Sequence, residues 1–167
     1  MDGVREKATA NVNSIGPVTI TTYDDQRIAI TRLFDAPRAL VFEAWTKAEH
    51  VTHWWDPSGV PLAVCEIDLR PNGAFRWVNR APGGGEGYSF SGTYREIAPP
   101  EKLVFGDPSR PESASTLIFA EDGKKTRLTI TIQCATREEL DTLLQMRVDA
   151  GTARTLENLA AYLPMIR

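Results

Sequence analysis

The chain has 167 residues, of which 42% are hydrophobic and 25% charged, with a formal net charge of −3. This is the composition of an ordinary globular domain, neither disordered nor fibrous, and one domain of this length buries roughly 70% of its unfolded surface. It has no concentrated basic block, which argues against nucleic acid as the main partner, and no apolar run near the ~20 residues needed to span a bilayer.

Residues 1–16, "MDGVREKATANVNSIG", are polar and are expected to form a flexible tail, leaving 17–167 as a single domain. The tail lacks the apolar stretch of a signal peptide. Together with only two cysteines, Cys65 and Cys134, this points to reduced thiols and a cytoplasmic location. "VTITTY" and "RIAITRLF" are rich in β-branched residues and predict two strands, or one interrupted strand, around "DDQ". In "DAPRALVFEAWTK", Pro37 stands at the first position of a helix along which Leu40, Val41, Ala44 and Trp45 recur at helical spacing. "AEHVTHWW" predicts a second short helix, ending ahead of Asp56-Pro57 because proline disfavours helical geometry in the residue before it.

From residue 60 to 134 the period becomes two. "PLAVCEIDL", "AFRWVN", "YSFSGTYREI", "KLVFG", "STLIFA" and "TRLTITIQC" predict strands, separated by "RPNGA", "PGGGEG", "APPE", "GDPSRP" and "EDGKK". In the last strand Leu128, Ile130, Ile132 and Cys134 alternate with polar residues, so one face is buried and one wet. A two-residue turn at Asn72-Gly73 would set Asp68 opposite Trp77 and Glu66 opposite Asn79. A slip of one residue would reverse the facings of the next hairpin, so Tyr88, Phe90 and Tyr94 are left without a side.

The chain closes on "TREELDTLLQMRVDAGTARTLENLAAYL", expected as one long helix over about 136–163. Thr136 and Glu139 have capping-box spacing. Leu140, Leu144, Val148, Gly151, Thr155 or Leu156, Leu159 and Leu163 draw one stripe along it, and Pro164 marks its end. The whole order predicts an α+β fold: a curved antiparallel sheet of about six to seven strands around a long C-terminal helix, with two short helices after the first strand. A straight helix cannot touch a bent sheet along its full length, and the space left between them is an apolar concavity suited to a ligand.

"ITRLFDAPRALVFEAWTKAEHVTHWWDPSG", "EIDLRPNGAFRW", "FSGTYREIAPPEKLVF" and "TRLTITI" resemble the family similar to the activator of the heat-shock-protein-90 ATPase. That family sits within the START-like, or SRPBCC, superfamily, and the likeness runs from about Arg27 to Leu163. The resemblance implies a helix-grip fold. It also implies three roles to weigh: binding of a small apolar molecule, contact with a chaperone, or a cyclase- or dehydratase-type reaction. Relatives often carry Gly-Trp inside the last helix where this chain has Gly151-Thr152, which suggests more room beside Thr152.

His50 and His53 lie three apart and could share a helix face with Asp56 as a further ligand, but a third protein donor would have to come from elsewhere. They are therefore expected as solvated helix residues, with no metal and no cofactor. Trp54 and Trp55 point about 100° apart, so one enters the core and the other faces the cavity mouth or solvent. The expected function is binding of a small, largely apolar ligand without catalysis, by a monomer or homodimer. The expected lining is Trp54, Trp55, Trp77, Phe90, Phe105, Phe119, Leu140, Leu144, Val148 and Thr152, with Asp68 and Arg76 as polar markers.

Overall fold

The structure, a computed structural model, describes residues 10–23 and 26–166. Among the described residues, nine strands form one fully antiparallel sheet: β1 (Ala10–Ile15), β2 (Val18–Tyr23), β3 (Arg27–Phe34), β4 (Val64–Ile67), β5 (Ala74–Arg80), β6 (Glu86–Ala98), β7 (Lys102–Gly106), β8 (Ala114–Asp122) and β9 (Lys125–Gln133). Their spatial order is β1-β2-β3-β9-β8-β7-β6-β5-β4, so β3, made before the helices, pairs with β9, made after all the other strands.

The strand number and the extent of the tail differ from expectation, while the first of the two alternatives for the strands around "DDQ" holds. "VTITTY" and "RIAITRLF" are two separate strands, and Ala10–Ile15, read as part of the tail, is a third that pairs residue for residue with β2 through the turn at Gly16-Pro17. Residues 1–9 lie outside the described part. The short helices α1 (Arg38–Thr46) and α2 (Ala48–Trp54) therefore follow the third strand, and Pro37 caps α1 rather than opening it.

Period-two patterning puts the core on one face of the sheet. Ile28 and Ile30 of β3, Leu128 and Ile130 of β9, Leu117 and Phe119 of β8, and Leu103 and Phe105 of β7 are all buried. The opposite face carries Thr31, Thr116, Thr129 and Thr131, with Thr31 and Thr129 in hydroxyl contact at 3.2 Å. The helices cover only the apolar face, with α1 on β8 and β9, α2 beside β4, and the C-terminal helix on β3 and α2.

The expected single C-terminal helix is in fact two: α3 (Arg137–Gln145) and α4 (Val148–Tyr162), followed by a 3-10 turn at Leu163–Met165. Arg147 is left-handed, at φ 59° and ψ 47°, which stops one helix and starts the next. The stripe explains why. Leu140 in α3 and Leu156 and Leu159 in α4 are fully buried, whereas Leu144, Val148 and Gly151 between them are half-buried. The break thus buries apolar side chains at each end, Leu140 in α3 and Leu156 and Leu159 in α4, and leaves the middle half-exposed. The start of α3 follows the capping motif, with Glu139 N–H bonding Thr136 Oγ1 at 3.1 Å, while Glu139 returns to the amide of Ala135 at 2.9 Å.

The register of β4 with β5 also differs from expectation. Cys65 lies opposite Trp77 and Ile67 opposite Phe75. Asn72 and Gly73 are not the two central residues of the turn: the chain reverses over Arg70–Gly73, with Gly73 N–H donating to the Arg70 carbonyl at 2.8 Å across Pro71-Asn72, and the Asn72 and Gly73 backbones also exchange hydrogen bonds with Tyr94 of β6. Asn72 takes φ 67°, and a Cβ at Gly73 would sit 2.0 Å from the Asp68 carbonyl, so this loop requires glycine there.

Candidate functional site

The pairing of β4, β5, β6 and β7 stacks aromatic side chains on the helix-bearing face. Trp77 is opposite Phe90, Phe75 opposite Gly92, and Tyr94 opposite Phe105. Gly92 leaves room for the Phe75 ring, whose edge would lie 3.2 Å from a Cβ there. The result is a continuous cluster. Phe75 lies 5.2 Å from Trp77, 5.5 Å from Phe90, 5.3 Å from Tyr94 and 5.2 Å from Phe105 between ring centroids.

The stretch "HVTHWWDP" completes this cluster from the helix side. Trp54 is fully buried, with its indole N–H donating to the Ala44 carbonyl at 3.1 Å. Trp55, half-buried, stacks on Phe90 at 5.3 Å and meets Trp77 edge-on at 4.7 Å. All four tryptophans of the chain, Trp45, Trp54, Trp55 and Trp77, belong to one ring network. Asp56 turns inward beneath it. It accepts from the Ser58 amide and hydroxyl at 2.8 and 2.7 Å and from the Asn79 amide at 2.8 Å. Burial pushes its carboxyl pKa up, but these hydrogen bonds outweigh that and hold it below the usual carboxylate value.

Beside this network runs a cleft of about 780 Å³ between β6–β9 and α3. Phe90, Phe105 and Ile132 form an apolar floor, Leu143 and Thr142 of α3 one wall, and Tyr88, which is 67% exposed, stands at the mouth. Cys134 lines it too. Burial raises its thiol pKa against the opposing pull of Arg110, so it stays a neutral, small side chain. Cys65, under the rings, is pushed to about 11 by burial and by the Glu66 charge. Neither is a thiolate nucleophile at neutral pH.

Of the residues expected in the lining, Phe90 and Phe105 face the cleft, and Trp55 and Trp77 back Phe90. Trp54 lies deeper in the core. Phe119 is fully buried against Phe42, on the far side of the sheet's core. Leu140 is buried, while Leu144, Val148 and Thr152 are half-buried. None of these four belongs to the cleft lining: α3 presents Glu138, Glu139, Thr142 and Leu143 to it and turns Leu140 and Leu144 away, while Val148 and Thr152 lie beyond it on α4. Asp68 and Arg76 are elsewhere: Asp68 pairs with Arg70 at 2.9 Å in the β4–β5 loop, and Arg76 with Glu86 at 3.1 Å at the surface. The shifted register turns Asp68 away, and Arg76 points outward because it alternates with Phe75 and Trp77 along β5. The side of β6 is settled as well, with Phe90 and Tyr94 inward.

His53 is exposed, as expected, and stacks on Tyr162 at 5.7 Å. His50 is a correction. Its side chain is only 13% exposed, Nδ1 lies 2.7 Å from the Tyr162 hydroxyl, and Nε2 faces Glu43 at 3.7 Å, so it ties α2 and α1 to the end of α4. Among the described residues, no three His, Cys, Asp or Glu side chains converge as a metal group would require. Among the same residues, no helix is long and apolar enough to cross a membrane.

Sequence reasoning missed the rim residues Asp107, Arg110, Glu138 and Glu139. They come from the β7–β8 loop and the first turn of α3, which no local pattern brings together.

One sheet with helices on a single face, and a cleft between sheet and C-terminal helix, define a helix-grip domain of the START-like class. The profile of the family "Activator of Hsp90 ATPase homolog 1-like protein" matches residues 35–164, and the chain belongs to that family. Solved structures agree on the fold. A protein from Rhodobacter sphaeroides is 21% identical, with a TM-score of 0.81, over 90% of this chain and 99% of that one. A protein from Nitrosomonas europaea is 22% identical, with a TM-score of 0.76, over 85% and 96%. An AHSA1-like protein from Aeromonas hydrophila is 21% identical, with a TM-score of 0.70, over 83% and 92%. No curated protein matches the chain.

Proposed function

We propose that this protein binds a small, largely apolar molecule in the cleft between β6–β9 and α3, and that it does so without chemistry of its own. The observation that carries this reading is the floor. Phe90 and Phe105 present aromatic surface to a space of about 780 Å³, within the ~300–1,000 Å³ range of small-molecule sites, and that floor is braced from behind by Trp55, Trp77 and Phe75. A floor held by packed rings is pre-organised, so little ordering cost accompanies binding. The thiols in and under the site are held protonated by burial, which favours a carrier or sensor over a nucleophilic enzyme. Contact with a chaperone rests on the family's description, and a cyclase- or dehydratase-type activity on its wider superfamily.

The test uses 1-aminoanthracene, a neutral fluorescent apolar probe. Wild type should bind it with micromolar affinity and enhance its emission. Phe90→Ala should weaken binding by at least roughly tenfold, about 1.4 kcal/mol, with a cooperative melt retained. An equal affinity in both proteins would place the probe elsewhere and end this reading.

A further inference from the structure

The floor of the cleft is aromatic, but its rim is charged, and the charge is one-sided. Asp107 and Arg110 reach it from the β7–β8 loop, Glu138 and Glu139 from the first turn of α3. Three carboxylates thus face one guanidinium, an excess of two negative charges. That guanidinium is already paired, with Glu139. Asp107 accepts from the Ser109 amide at 2.9 Å and hydroxyl at 2.8 Å, which fix its position without cancelling its charge. Glu138 is exposed. Two further arginines lie close by in the chain or the sheet, and neither is in the lining: Arg137, beside Glu138, pairs with Asp141 at 3.3 Å, and Arg95 is held by the β7–β8 loop. Its guanidinium is turned to the carbonyls of Asp107, Arg110 and Pro111 and so clasps the loop from outside the cleft.

In the same lining, Tyr88, Phe90 and Phe105 supply ring surface. Aromatic faces are the negative ends of their quadrupoles and attract cations, best where water is partly excluded. Rim and floor therefore act with the same sign on a charged guest: both draw a positive group, and the rim repels a negative one. Apolar area alone would not discriminate between an amine and a carboxylate on the same ring system, since the two bury the same hydrocarbon.

We propose that the cleft selects lipophilic cations: an apolar, ring-bearing body that lies on Phe90 and Phe105, with an ammonium group at the rim between Asp107 and Glu138. Anionic amphiphiles of fatty-acid type are rejected. This rests on the binding reading above and adds the charge of the ligand to it.

Three probes of one shape separate the two claims: 2-naphthylmethylamine, 2-naphthalenemethanol and 2-naphthoate, titrated calorimetrically at pH 7 and low salt. The expected order is amine, then alcohol, then carboxylate, with roughly five- to tenfold or more between first and last. The spread should narrow as ionic strength rises, because salt screens exposed charges beyond about 10 Å at 0.1 M. In Glu138→Gln the ratio of amine to carboxylate affinity should fall, and in Glu138→Gln with Asp107→Asn it should fall further. Binding of the alcohol with no preference for the amine over the carboxylate overturns the charge proposal and leaves the cleft reading standing. A preference for the carboxylate overturns it too. Failure of all three to bind overturns both.

Discussion

Asp56 shows how one residue can be misplaced by its neighbours in sequence. Beside two histidines it suggested a metal ligand, yet its side chain is occupied inside the protein by Ser58 and Asn79, and its backbone carbonyl accepts from the Asn158 amide at 2.9 Å. It therefore joins α2, β5 and α4. Removing it in Asp56→Ala leaves the Asn79 amide and Ser58 groups without their acceptor, and should cost ~2–3 kcal/mol in urea unfolding. Its acid behaviour follows from the sign of its shift. Because the folded pKa is lowered, the carboxylate contributes stability above the unfolded value of about 3.9, and that contribution is lost as pH falls through the lower folded value. Unfolding free energies measured from pH 7 down to pH 3 should therefore drop less steeply for Asp56→Asn than for wild type; parallel curves would show that the carboxylate is not held as described. The residues legible from sequence were those whose facing follows from a strand's period, such as Leu128 and Ile130. Asp68 was misassigned to the cavity because its facing depended on a turn whose backbone bonds run to Tyr94, more than twenty residues on, whereas Arg76 alternates with Phe75 and Trp77 and faces outward in any register.

At the level of elements, starts and stops were read well where a side chain makes them. Thr136 caps α3, and α2 ends before Asp56-Pro57, by local hydrogen bonding and sterics that need no tertiary contact. The break between α3 and α4 has no such signal. Neither glycine nor proline stands at 146–147, and Arg147 takes the left-handed conformation because burying both Leu140 and Leu156 requires it. Local support comes from the Arg147 amide, which donates to the Leu144 carbonyl at 3.1 Å, and from an exposed contact of Arg147 Nε with Asp149 Oδ1 at 3.1 Å. This yields a prediction. In Arg147→Gly the relief of left-handed backbone, worth about 1–2 kcal/mol, roughly offsets the added freedom of the unfolded chain, so stability should stay within ~1 kcal/mol of wild type. Arg147→Val, β-branched at the same φ, should cost ~1–2 kcal/mol more than glycine. Guanidinium melts of the two variants decide it; a valine variant as stable as the glycine one would mean that the helix is continuous in solution.

Across the whole molecule, the alternation of strands and the placing of helices at two points in the chain were enough to give the architecture, because a sheet with one apolar face must be covered on that face. The added β1 and the nine-strand order were not visible, since "ANVNSI" has no buried face of its own and is a strand only by pairing with β2. The cleft was foreseen as a gap under a long helix, and part of its floor, Phe90 and Phe105, was named from sequence. Its true wall is α3, and its rim is acidic, because the helix break and the β7–β8 loop bring together residues about thirty apart. The central claim, that this cleft is the ligand site, is tested most directly by mapping amide chemical shifts in ¹⁵N-labelled protein titrated with 2-naphthylmethylamine. The account predicts shifts concentrated at Tyr88–Ser91, Phe105–Gly106, Ile132–Cys134 and Thr142–Leu143, on both sides of the cleft. Shifts confined to the groove of about 490 Å³ at His53, Tyr162 and Ile166, or spread without pattern over the surface, would contradict it.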